Sequence, residues 1–221
     1  LMADIVRNPK FDPSEVERLR GQQLAAISAE FNNPNAIASR TLWPTLFGAS
    51  HPYGMPPSGL GDPVAVGKVS REDLAAFHAK WLRPDNTRII VVGDTTLDDV
   101  TPMIEKSFGN WKAPATSVPT KSFDVTVPAA KSRIILVDRP KSPQSVIYAG
   151  EILDAKGRDD LVTLRAANEV FGGNFLSRLN MNLRETKGWS YGVRSGILEY
   201  LESAPFFVAA PVQADRTGDS V

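Results

Sequence analysis

The feature that most constrains this chain is the stretch Ala113-Pro114-Ala115-Thr116-Ser117-Val118-Pro119-Thr120 near its middle. Small and hydroxylated side chains with two prolines have little surface to bury, so the stretch reads as a linker. The chain is therefore expected to fold as two parts, residues 1–112 and 121–221, joined by 113–120. Its 221 residues, 42% apolar and 23% charged, give globular composition and enough length for one large or two small cores.

The two parts differ in texture. In the first, Asp12-Pro13-Ser14-Glu15 supplies a cap, a first-turn proline and an early acid, and Val16, Leu19, Gln23, Ala26 and Ile27 then recur at helical spacing, which predicts a helix from Asp12 to Phe31. Asn32-Asn33-Pro34 ends it, a second helix follows from Asn35 to Phe47, and Gly48 to Gly67 reads as a loop around His51-Pro52-Tyr53-Gly54. Ser70-Arg71-Glu72-Asp73 is a capping signature for a third helix through Leu82. The β-branched run Arg88-Ile89-Ile90-Val91-Val92 predicts a buried strand over Asn86 to Gly93, and Asp94-Thr95-Thr96 caps a helix to Phe108.

Beyond the linker, Phe123 to Val127, Arg133 to Val137 and Ser145 to Ala149 read as three short strands. Two helices are expected next. The first runs from Asp159 to Phe171, with Leu161, Leu164, Ala167, Val170 and Phe171 on one face; the second runs from Asn174 to Lys187, with Phe175, Leu179 and Leu183 on one face and Gly188 turning the chain in the left-handed cap position, and Gly172-Gly173 breaks the pair. Ser190 to Glu199 and Ala204 to Val212 close as a hairpin. The beginning, Leu1 to Val6, reads as mid-helix and Asp219-Ser220-Val221 lacks a packed ending, so the chain is taken as an excerpt of a longer protein.

Charge and composition remove several classes of partner. Lys+Arg and Asp+Glu each total 25 and no basic block occurs, so nucleic acid and anionic membrane are not expected partners. No apolar run approaches the ~20 residues of a membrane span. The absence of cysteine excludes disulfides, Cys-ligated zinc and thiol nucleophiles, and leaves the redox compartment open. The two histidines are expected to be structural: His51 fixes its turn, and His78 lies at the boundary of an amphipathic helix beside Phe77 and Trp81. Glu15-Val16-Glu17-Arg18-Leu19-Arg20 is a solvated face with intrahelical pairs.

The segment Phe171-Gly172-Gly173-Asn174-Phe175-Leu176-Ser177-Arg178-Leu179-Asn180-Met181-Asn182-Leu183-Arg184-Glu185-Thr186-Lys187-Gly188-Trp189-Ser190-Tyr191-Gly192-Val193 combines a Gly-Gly break, Ser-Arg-Leu, Leu-Arg-Glu, Lys-Gly and a tyrosine seven residues after the arginine. That combination resembles a signature of the M16 zinc metallopeptidases. Asn-Pro after a long helix, His-Pro-Tyr-Gly, Arg-Pro-Asp-Asn before a hydrophobic strand and Val-Val-Gly-Asp after it extend the resemblance along the chain. It implies an α+β fold of two-layer M16-like domains, antiparallel sheet packed with helices, with this chain spanning the second part of one domain and the first part of a homologous next one.

Active M16 halves hold zinc on an inverted His-x-x-Glu-His helix with a downstream Glu as third ligand. Neither His51 nor His78 is followed by that pattern, and the positions that the resemblance aligns with the downstream acids are Leu19 and Ala26. A shifted alignment would bring Glu30 or Glu15 there instead. The resemblance thus implies the metal-free half, inactive alone, with zinc in a partner subunit or domain and a peptide as substrate. In it, Arg184 and Tyr191 face the partner's zinc, Tyr191 donating to the oxyanion and Arg184 holding a substrate carbonyl. Residue by residue the alternative is an Arg184–Glu185 surface pair beside a half-buried Tyr191. For the chain the alternatives are a structural or peptide-binding relative, like the core subunits of the bc1 complex, and a complete zinc half whose motif lies before Leu1. The family's bacterial members imply a periplasmic setting.

Overall fold

The computed structural model describes all 221 residues, which form two compact units, Leu1–Ala25 with Asp62–Ser122 and Ala26–Gly61 with Phe123–Val221. None of its helices is long and apolar enough to cross a membrane.

In the first unit, α1 (Met2–Arg7) precedes α2 (Pro13–Glu30), which begins where Asp12 accepts from the backbone N–H of Ser14 at 2.9 Å. From Ala26 the chain belongs to the second unit, which includes α3 (Pro34–Phe47), and the first unit resumes with α4 (Pro63–Lys68), a helix inside the stretch expected to be loop. Its signal was local: Asp62 accepts from Val64 and Ala65, with Pro63 at the first position. The expected capping box at Ser70 and Asp73 opens α5 (Arg71–Trp81), and Thr96 caps α6 (Leu97–Phe108).

The buried aliphatic and aromatic side chains all belong to the second unit. Arginine hydrogen bonds to carbonyls supply cross-links in the first instead. Arg7 reaches Ser107 (2.6 Å), Arg20 reaches Val69 (2.6 Å) and Arg71 reaches Phe11 (2.8 Å). Arg83, 2% exposed, grips the carboxylate of Asp85 through Nε and Nη2 (2.5 and 2.7 Å) and donates to the carbonyls of Pro114, Thr116 and Ser117. Such a fork of donors suits a planar guanidinium and no other side chain. The 113–117 stretch therefore lacks regular structure but is anchored through its own backbone.

Three expected strands do not form. Asn86–Gly93, Phe123–Val127 and Arg133–Val137 join no ladder, and Ile90, Val92, Ile134 and Leu136 are 78%, 93%, 91% and 88% exposed. Their β-branched and aliphatic composition favours extended backbone, but a strand also needs a neighbour to take its N–H and C=O groups.

The second unit holds the sheet, β1 (Gln144–Leu153), β2 (Arg194–Ile197) and β3 (Ala204–Gln213), antiparallel in the order β1-β3-β2. Register runs Gln144↔Gln213 to Leu153↔Ala204, and Arg194↔Ala209 to Ile197↔Phe206. This is the anticipated hairpin, with a shorter first arm, and the fold is the expected helix-packed antiparallel α+β type. Alternation along β3 directs Val208, Ala210 and Val212 to one face, where they meet Leu179, Leu183 and Val193. Phe207 belongs to the other face and packs 6.5 Å, centroid to centroid, from Trp43 of α3.

Candidate functional site

The segment after β1 owes its shape to side chains that interrupt helices. Asp160 accepts from Val162, so α7 begins late (Val162–Asn168) and ends in a π-helical turn, Glu169–Gly173. Of the face expected to be apolar, Leu161 is buried, whereas Val170 and Phe171 are exposed. A Cβ on Gly172 would stand 2.3 Å from the Ser195 hydroxyl, so only glycine lets this turn press against β2. Asn174 then accepts from the Leu176 N–H at 2.8 Å, an Asx turn that keeps 174–177 out of the following helix. That helix is α8 (Arg178–Asn180), continued by a π-helical turn, Met181–Thr186. Phe175 is left outside it, 55% exposed.

At the other end Gly188 takes the expected left-handed conformation, φ +66°. Its N–H donates to Arg184 C=O (3.1 Å) and Trp189 N–H to Leu183 C=O (2.9 Å), which turns the chain sharply toward β2. Tyr191 lies in this connection, three residues ahead of the strand it was expected to start. It is 84% exposed, so it is not a half-buried strand aromatic.

The structure brings the two expected site residues together and adds a third. The Arg184 guanidinium carbon is 5.1 Å from the Tyr191 ring centroid and 4.4 Å from that of Phe175. Cation–π contact with two rings restrains a side chain that otherwise samples many rotamers. Arg184 Nε also pairs with Glu185 at 3.1 Å, so the surface ion pair forms alongside the aromatic contacts. The outcome is a restrained cation beside an accessible phenol, suited to polar groups of an extended ligand. Phe175 was expected on the apolar face of the helix with Leu179 and Leu183, and the Asx turn instead places it outside that helix against Arg184.

The histidines behave as structural residues. His51, 4% exposed, stacks on Phe47 at 5.2 Å and accepts at Nδ1 from the Tyr53 N–H at 3.0 Å. Burial pushes its pKa below the ordinary histidine value. Tyr53 in turn accepts from the Glu202 N–H at 3.1 Å. His78 Nε2 lies 2.7 Å from the Val6 carbonyl.

The residues present do not fit zinc. No three His, Cys, Asp or Glu side chains group as a metal would require. Glu15 pairs with Arg18 at 2.7 Å, Glu30 hydrogen-bonds Arg40 Nε at 2.7 Å, and Leu19 and Ala26 offer no donor atom.

Comparison with known proteins gives this geometry a context. The family model described as the peptidase M16 inactive domain matches residues 68–221. An uncharacterized zinc protease of Mycobacterium tuberculosis is 25% identical over 219 residues, covering 99% of this chain and 49% of the relative. The crystal structure of a peptidase M16 inactive domain from Pseudomonas fluorescens superposes with a TM-score of 0.82 at 26% identity, over 96% of this chain and 50% of that one. A protease from Helicobacter pylori has the same fold, with a TM-score of 0.84 at 20% identity, over 96% and 50%. The chain spans about half the length of the curated relatives it matches.

Proposed function

Because the chain belongs to the M16 peptidase family, matching its inactive domain over 68–221, we propose that it serves as the non-zinc-binding half of a zinc metallopeptidase and works on a peptide held at a partner's metal. The zinc-bearing half is a separate subunit or another domain of the same protein. The observation that carries this reading is the Phe175–Arg184–Tyr191 cluster, a restrained guanidinium next to a phenol that is 84% exposed. Tyr191 donates its O–H to the oxyanion that develops on the scissile carbonyl, and Arg184 donates to a neighbouring substrate carbonyl. A preorganised donor aimed at developing negative charge contributes about 3 kcal/mol to transition-state binding. Domain organisation follows the same proposal: 1–112 and 121–221 belong to successive homologous domains joined at 113–120.

The test is hydrolysis of a quenched fluorescent peptide by the protein alone and mixed with its zinc-bearing partner. Activity is expected only in the mixture; Tyr191→Phe is expected to lower kcat/KM by about a hundredfold, the scale of one lost oxyanion donor, and Arg184→Ala by at least about tenfold. Cleavage by the protein alone with bound zinc, or mutants equal to wild type, removes the assignment. The second of those results points to a structural relative of the same fold.

A further inference from the structure

Asn180 is hydrogen-bonded to the backbone on either side of the cluster. It is 3% exposed, and its amide bonds at both ends: Nδ2 donates to the Phe175 carbonyl at 2.7 Å, and Oδ1 accepts from the Val193 N–H at 3.0 Å. One side chain thus ties the backbone that carries one ring flanking Arg184 to the backbone two residues beyond the other. Neither bond belongs to a helix or a ladder, so the spacing between the two segments is not set by regular structure here. Ser190 holds the same connection from its other side. Its hydroxyl donates to the Pro211 carbonyl at 2.5 Å and accepts from the Gly192 N–H at 3.1 Å, bracketing Tyr191 against β3.

We infer that Asn180 is a positioning residue: its amide sets the distance between Phe175 and Tyr191, and through them the orientation in which Arg184 is presented. The inference rests on the proposed role of Arg184 and Tyr191 for its catalytic consequence, and on the hydrogen bonds alone for its geometric one. An amide is the side chain that suits both bonds at once, because it carries a donor and an acceptor on one short planar group. Aspartate has the same shape but, ionised, presents an acceptor to the Phe175 carbonyl. Lone pairs then face lone pairs in a buried space, which costs more than a missing bond. Protonation of that aspartate would restore a donor.

The experiment follows the Arg184 Nε–H resonance by NMR, assigned by its loss in Arg184→Lys, because ring currents from Phe175 and Tyr191 displace it. In Asn180→Asp the resonance is expected to move toward the value of a free arginine at neutral pH and to return toward wild type as the new carboxyl is protonated. In Asn180→Ala it is expected to move and to show no such return. With the zinc-bearing partner present, Asn180→Asp is expected to lower kcat at least fivefold with KM changed less than twofold. An unmoved resonance in a folded Asn180→Asp overturns the inference, as does displacement without pH reversal. Should Arg184→Ala leave hydrolysis intact while the resonance behaves as expected, the proposed function fails and the positioning geometry stands.

Discussion

His51 shows how a residue with catalytic chemistry is committed to structure. Accepting the Tyr53 N–H at Nδ1 requires the neutral ring, and burial against Phe47 disfavours the charged one. The folded-state pKa is therefore below that of the unfolded chain. As pH falls below about 6.5, the unfolded state takes up the proton first and stability drops, until pH passes the folded value. The variant His51→Asn keeps an acceptor in reach of the Tyr53 N–H but does not titrate. Its thermal midpoint is expected to be lower than wild type at pH 7.5 and to change less between pH 7 and pH 5. Parallel curves for the two proteins across that range would show that His51 is not the titrating group. At this scale the sequence was informative where the side chain acts on its own neighbours: the turn at His51, the left-handed Gly188 and the Ser70/Asp73 cap were all legible. Arg184 and Tyr191 were legible only as members of a family pattern. Asn180 was not, and Phe175 was legible only as a helix-face apolar residue, since nothing in a lone Asn or Phe says which carbonyl or cation it will meet.

Elements divide the same way, by whether their determinants are local. Helices α2, α3, α5 and α6 carry their own caps and formed close to where they were expected, while α7 and α8 were shortened by Asp160 and Asn174. Strands depend on partners elsewhere, so Ile90, Val92, Ile134 and Leu136 looked core-like in sequence and are exposed. The 113–117 stretch was misleading in the opposite sense, because its low apolar content hid the carbonyls that Arg83 binds. Replacing Arg83 with Ala leaves those carbonyls and the Asp85 carboxylate without their shared donor. Local opening there should rise, and proteolytic nicking within 113–117 is expected to be roughly tenfold faster, on the scale set by losing charged hydrogen bonds in a locally opening segment. Arg83→Lys, which keeps the charge but not the fork, is expected to rescue only part of the protection. Unchanged cleavage in both variants would mean that the stretch is held by something other than Arg83.

For the whole molecule, the decisive property is the division between what this chain supplies and what it lacks. It has a buried apolar core in one unit, a balanced 25 against 25 of opposite charges, and acids near the aligned ligand positions that are already paired with arginines. A metal stabilises a protein only in proportion to its affinity for the native state, so a fold without a ligand set gains nothing from zinc. The 221-residue chain is expected to retain well under one zinc per molecule after dialysis, and EDTA is expected to shift its thermal midpoint by less than about 1 °C, as linkage requires for a non-binding ion. The Arg184 and Tyr191 effects on hydrolysis should then appear without any change in zinc content of the partner. Stoichiometric zinc, with a midpoint that falls on chelation, would instead place ligands in this chain and return Glu30 or Glu15 to consideration. That result would also change the meaning of Arg184→Ala, because a loss of activity could then arise from within one metal site rather than across two halves. Zinc content is for this reason the measurement that gives the peptide assay its interpretation.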